Sequence, residues 1–142
     1  MIALALMAMT QTVPSVPTPT PVPEAAPIAR SPIDWAALPA LPYRQTPQPT
    51  AAMAGYVLAE IRRTGCPHPI PVQGRAQLQV DVAVLIGENQ LVRATIPRAI
   101  GCPTVEQYSA GLVVSYARGN LLPHVVAEGG WYRATLLFDW VE

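Results

Sequence analysis

The sequence predicts an α+β fold, a two-layer sandwich in which two helices cover one face of a small three-stranded antiparallel sheet. Three observations predict it. Two segments carry apolar residues at helical spacing, three segments alternate apolar and polar residues, and together they follow the order α-β-β-α-β. Because each alternating strand has a single apolar face, both helices are expected on the same side of the sheet.

The first helix is predicted over Ala51–Thr64, where apolar residues recur near helical spacing and Gly65 supplies a C-cap. The second helix is predicted to begin at Cys102-Pro103, since proline is favoured in a first turn, and Thr104 with Gln107 has the spacing of a capping box. Gly119 is expected to end it. Its expected apolar stripe consists of Val105, Tyr108, Leu112, Val113 and Tyr116.

The three strands are predicted over Arg75–Ile86, 91–96 and Trp131–Val141, with a hairpin turn at 87–90 between the first two. Each strand has an apolar face that is expected to lie under the helices. On the first strand this face comprises Ala76, Leu78, Val80, Val82 and Val84. On the second it comprises Val92, Ala94 and Ile96. On the third it comprises Tyr132, Ala134, Leu136, Phe138 and Trp140.

A proline-rich segment precedes the predicted domain. Eleven of the 17 prolines lie before residue 50, spaced too closely for a helix or a ladder of paired strands. We therefore predict a disordered, extended linker over 13–50 and a folded domain over 51–142. Within the linker, Trp35 lies in an apolar patch that either folds back onto its own domain or binds a partner as a linear motif.

The N-terminal residues, 1–12, contain eight consecutive apolar residues from Ile2 to Met9. That length fits either a short secretory signal or the truncated end of a membrane anchor. No stretch of the sequence reaches the roughly 18 apolar residues needed to cross a bilayer. Membrane association is therefore expected only if an anchor is retained.

The charged residues and histidines point away from several functional classes. Nine basic residues balance nine acidic ones without a cluster, so no nucleic-acid partner is expected. The two histidines, His68 and His124, lack a second ligand at metal spacing. Asp81 and Asp139 fall on the outer faces of predicted strands, where solvated charges are expected. Since no hydrolase or phosphate-binding motif is present, we expect no enzyme activity, metal or cofactor.

The two cysteines, Cys66 and Cys102, each lie in a Gly-Cys-Pro sequence beside a predicted helix end. In an exported protein an even cysteine count predicts a structural disulfide. Closing a loop of about 36 residues would contribute roughly 4 kcal/mol in the chain-entropy model. The alternative is a periplasmic thiol/disulfide redox protein that uses Cys102, because a helix N-terminus lowers a thiol's pKa.

The third strand concentrates the aromatic residues of the domain and is expected to lie at a sheet edge. Free main-chain donors and acceptors at an edge can bind an extended peptide by strand addition. The outer-face residues of this strand are the candidate partner-binding residues: Trp131, Arg133, Thr135, Leu137 and Asp139.

The order of these landmarks over about 73–140 resembles the C-terminal domain of the TonB family of envelope energy transducers. Residues 74–80 resemble the family's glycine followed by a first long strand, and 88–92 its turn into the second. Residues 100–106 lie where the family has small residues and an acidic residue opening the helix. The family's aromatic-x-Pro after the helix is matched by Leu122-Pro123, and its last strand by 131–140.

This resemblance implies a periplasmic or cell-envelope domain on a proline-rich spacer, without catalysis or cofactors. Its expected partner is a protein, an extended segment of an outer-membrane transporter bound by strand addition in energy-coupled transport. A structural envelope protein, whose spacer merely positions the domain, is the other non-enzymatic alternative.

Overall fold

Five regular elements form the folded unit Ile33–Glu142 of the computed structural model. They are α1 (Ala51–Thr64), β1 (Arg75–Ile86), β2 (Val92–Pro97), α2 (Pro103–Ala117) and β3 (Trp131–Val141). This confirms the predicted element order and the α+β fold. The structure describes residue 15 and residues 32–123 and 130–142, so the predicted signal or anchor over 1–12 lies outside the described residues. Within that described part, no helix is long and apolar enough to cross a membrane.

The sheet has the order β2-β1-β3, and both neighbouring pairs are antiparallel. β1 is therefore the central strand. The even-numbered side chains of β1 and β3 face the helices. Those between Val80 and Val84 on β1, and between Tyr132 and Phe138 on β3, are almost inaccessible to solvent. The apolar core lies between this face and the buried side chains of both helices, as the alternation predicts.

α1 has the ends that its sequence predicts. The Thr50 hydroxyl accepts a hydrogen bond from the Met53 amide at 3.3 Å, which satisfies one of the free donors of the first turn. Gly65 follows the helix with φ of 68°, a left-handed conformation that glycine adopts at low cost. The helix buries Ala54, Val57 and Ile61 against the sheet.

α2 begins at Pro103 as expected, but the predicted capping box of Thr104 and Gln107 is wrong. The carboxylate of Glu106 instead accepts hydrogen bonds from the main-chain amides of Ile100 at 2.8 Å and Cys102 at 3.1 Å. Because the helix starts at proline, the residue before it takes the N-cap position and the acidic side chain reaches back from the first turn.

The predicted disulfide between Cys66 and Cys102 is present, with Cα atoms 5.3 Å apart. It joins the segment after α1 to the residue before α2, so the two helices are linked covalently at one end. The Cys102 side chain is buried in the apolar core.

The faces of β2 differ from the prediction because a bulge interrupts its pairing with β1. Leu85 pairs with Ala94 and Ile86 with Val92, so Arg93 is an extra residue without a partner position on β1. A one-residue shift reverses the faces of a strand. Ala94 and Ile96 therefore lie on the helix-free side, where Ile96 pairs with Ala83, and only Val92 of the predicted three packs against the core.

The boundary predicted at Ala51 is too late, because residues 33–43, here called the strap, belong to the folded unit. The first part of the strap lies on the helix-free face of the sheet, and at the β3 edge Leu41 enters the core on the helix side, where it is 5% exposed. Prolines did not prevent this, since an extended segment can pair through the amides of its other residues. The linker predicted before the strap lies outside the described residues, apart from Ser15 and Pro32.

Candidate functional site

β3 forms one edge of the described sheet, and the strap occupies part of that edge. Ala40 of the strap pairs in parallel with Arg133. The Arg133 amide donates to the Pro39 carbonyl at 2.8 Å, and the Leu41 amide donates to the Arg133 carbonyl at 2.8 Å. The main chain of Arg133 is therefore already satisfied by an extended segment of the same chain.

The strap leaves the edge directly after this contact. The Leu122 amide donates to the Pro42 carbonyl at 2.9 Å, and Tyr43 pairs with Leu121. Strand residues alternate in the direction of their main-chain groups, and Arg133 directs its groups away from β1. Every second residue after Arg133 has the same orientation, because the register between β3 and β1 is unbroken. The amides and carbonyls of Thr135, Leu137 and Asp139 therefore also point away from β1.

The side chain of Arg133 contacts the strap, and the Trp131 ring lines a hollow beside it. Arg133 donates from Nη1 to the Trp35 carbonyl at 3.1 Å. Trp131 is half-buried and lines a hollow of about 330 Å³ between the strap and the sheet, together with Leu38 and Ile96. Of the two alternatives for Trp35, folding back onto its own domain is the one that the structure has.

Asp81 is not the solvated charge that the alternation predicts. It lies on the helix-free face of β1, and the residue is only 6% exposed. It accepts hydrogen bonds from the Thr135 hydroxyl at 2.7 Å and Gln79 at 3.2 Å, and Arg98 pairs with it at 3.3 Å. Arg98 in turn lies 5.6 Å from the centre of the Trp35 ring, a cation-π contact. Asp81 is therefore connected to the strap through Arg98, and its own partners lie on β1, on β3 and after β2.

The rest of the edge lies beyond the strap and is more open. Leu137 is 45% exposed. Asp139 accepts from Arg75 Nη2 at 2.6 and 2.7 Å, and this hydrogen bond holds the pKa of the Asp139 carboxyl below its ordinary value. Asp139 therefore remains on the surface, as predicted, but it is paired.

The strand end carries a small polar cluster around the Glu142 carboxylate. Trp140 donates from its indole nitrogen to Glu142 at 3.1 Å, and His68 Nε2 lies 3.0 Å from the same oxygen. Across the residues that the structure describes, no group of three or more His, Cys, Asp and Glu side chains is arranged to hold a metal ion. His124 lies outside those residues.

The structure thus brings the five predicted partner-binding residues onto one strand but divides them. Arg133 contacts the strap and Trp131 lines the hollow beside it. Thr135 is bonded to Asp81 but exposed, and exposed Leu137 and half-buried Asp139 lie farther along the strand. No sequence pattern singled out Arg98, whereas the apolar residues among the prolines indicated docking of the Trp35 patch as one of two alternatives. In comparisons with family models, curated proteins and solved structures, nothing matches the chain, so the TonB resemblance stays a prediction.

Proposed function

We propose that this chain is a non-enzymatic cell-envelope protein that binds an extended segment of another protein along the β3 edge. One observation supports this most directly. The edge already binds residues 39–41 of the strap through two main-chain hydrogen bonds at Arg133, and the outward-facing groups of Thr135, Leu137 and Asp139 continue the same line. An extended peptide adjoining the strap would continue the pairing that the strap begins.

The sequence resemblance suggests the partner and the place. A TonB-like domain would act in the periplasm, on a segment of an outer-membrane transporter, in energy-coupled transport. The Cys66–Cys102 disulfide supports this location, because disulfides persist in oxidising compartments. The residues of the edge supply main-chain hydrogen bonds and a surface, so the proposed role needs no catalytic group.

The test replaces Leu137 with proline. Proline removes the outward-facing amide of this position and leaves the amides that pair with β1, so an edge position tolerates it better than a central one. A photoreactive amino acid in place of the exposed Val141 would cross-link the bound partner in living cells of the native host. We expect cross-linking to an outer-membrane protein to be lost in Leu137→Pro.

The matched control is Leu137→Ala, which shortens the same side chain but retains the amide. It should cross-link at near wild-type yield, and thermal unfolding would verify that both variants are folded. Equal cross-linking in the proline variant would overturn strand addition. Intact mass by cell fraction tests the location, since a species two mass units light in the periplasmic fraction would carry the disulfide there.

A further inference from the structure

The part of the helix-free face that the strap leaves open carries a particular set of side chains. Leu137, Asp139 and Val141 share this face of β3, because strand side chains alternate and their even-numbered neighbours are buried under the helices. Leu137 is 45% exposed and Val141 72% exposed. The carboxylate between them retains a third of its side-chain surface.

The strap shows how an added segment arranges its side chains at this edge. Ala40 pairs with Arg133, so its side chain lies on the helix-free side and is exposed. The next residue, Leu41, turns to the opposite side and is buried in the core. A segment that binds farther along β3 would alternate in the same way, with every second side chain beside Leu137, Asp139 or Val141.

We propose that the bound segment carries an apolar residue, a basic residue and a second apolar residue at alternate positions, beside Leu137, Asp139 and Val141 respectively. This inference rests on the proposed function. Directly opposed side chains on neighbouring strands contribute to pairing, and like charges oppose it. The pattern is the same in both chain directions, so it holds for parallel and antiparallel addition.

The central residue of the pattern is basic because Asp139 presents an ionised carboxylate to the added strand. Arg75 donates to both carboxylate oxygens from the β1 side through a single nitrogen. A carboxylate has about four acceptor sites, so it can accept a further donor from the side of an added strand. A lysine or arginine there gains a hydrogen bond, whereas a glutamate faces an ionised carboxylate.

The experiment uses the isotope-labelled full chain and three synthetic twelve-residue peptides. Their central residues are Val-Thr-Lys-Thr-Val, Val-Thr-Glu-Thr-Val and Ala-Thr-Lys-Thr-Ala, with identical flanks. Nuclear magnetic resonance titration follows the amides of Thr135, Leu137 and Asp139. We expect the first peptide to bind about fivefold more tightly than each of the others, because a cross-strand pair changes an affinity by a few-fold.

A charge variant separates pairing with Asp139 from general attraction. Asp139→Asn should reduce the preference for lysine over glutamate below about twofold or reverse it, since Arg75 is then unpaired. Glu88→Gln removes the same charge from the exposed hairpin turn and should leave the preference unchanged.

The outcomes distinguish this inference from the function on which it rests. If all three peptides bind equally at the outward-facing amides, strand addition stands and the pattern is overturned. If the peptides bind elsewhere or not at all, both proposals fail. If Glu88→Gln abolishes the preference as Asp139→Asn does, the selectivity comes from net charge, and the position-specific pairing is overturned.

Discussion

The two faces of the sheet are covered in different ways. Toward the helices, the sheet presents a continuous apolar surface that includes Val80, Tyr132 and Phe138, all nearly inaccessible to solvent. On the other face, the strap is held by a few specific contacts, among them those of Trp35 with Arg98 and Arg133. The first face is held by the summed area of many apolar side chains. The second depends on a small number of polar pairs, so individual substitutions should act differently on the two.

The largest expected effect is on the helix-covered face. Phe138→Ala removes a fully buried ring, and we expect the free energy of unfolding to fall by about 3–5 kcal/mol, from lost burial and the cavity that remains. Urea denaturation would measure it. Leu137→Ala is the matched control on the opposite face, where a loss below about 1 kcal/mol is expected. Similar losses for the two neighbours would contradict the assignment of faces.

On the strap-covered face, Asp81→Asn should cost about 1–3 kcal/mol. The substitution removes the ion pair with Arg98. The new side-chain amide group can also face the Thr135 hydroxyl or the Gln79 amide, which are themselves donors to Asp81. Asp139→Asn is the comparison, because its ion pair with Arg75 is exposed and solvent screening makes such pairs contribute little to stability. Urea midpoints of the two variants would rank the sites, and a larger loss at Asp139 would show that Asp81 is not buried.

Trp35→Ala should loosen the strap without unfolding the sheet. It removes the cation-π contact with Arg98, worth about 1 kcal/mol at a partly exposed site. Hydrogen exchange at the Arg133 amide, which donates to Pro39, should accelerate roughly fivefold. Exchange at the Val82 amide, in the central strand, should not change. Trp35→Phe keeps an aromatic ring and should accelerate exchange less.

The smallest effect at neutral pH is expected for Tyr43→Phe. In the part of the chain that the structure describes, the enclosed Tyr43 hydroxyl has no hydrogen-bond partner. Removing it should therefore leave stability unchanged or raise it by up to about 1 kcal/mol. Urea denaturation at pH 7 would measure the difference, and a clear loss of stability would reveal a partner for the hydroxyl.

The same variant has a distinct effect at alkaline pH. Burial raises the pKa of Tyr43 from 10.0 to about 12, so between these values the unfolded chain loses a proton that the folded chain keeps. Tyr43 therefore makes wild-type stability decline as the pH rises through this window. The decline should be shallower in Tyr43→Phe. Identical slopes in the two proteins would mean that the hydroxyl is not buried.

Features that depend on neighbouring residues could be predicted from the sequence. The bounds of α1, β1 and β3 follow from periodicity and from turn residues such as Gly65. The outward direction of Leu137 follows equally from alternation. The faces of β2 could not be predicted, because the bulge at Arg93 shifts the pairing and no local residue pattern announced it.

The sequence left docking of the strap as one of two alternatives, because its apolar residues stand among closely spaced prolines. Its docking depends on Arg98 and Arg133, which are distant in sequence and become neighbours only in the folded sheet. The burial of Asp81 accompanies contacts with Thr135 and Arg98, which come from other segments of the chain and could not be predicted from its own neighbours. The part of the candidate edge that remains open could not be predicted for the same reason.

The hydrogen bond between Arg133 and Trp35 joins residues 98 positions apart, which has a consequence for the order of folding. The strap is synthesised before the sheet but cannot find its place until β3 exists. Contacts of such long range form late, because a large loop must be closed first. We therefore expect the β3 edge to be unpaired until the strap docks, and an unpaired edge can associate with another chain.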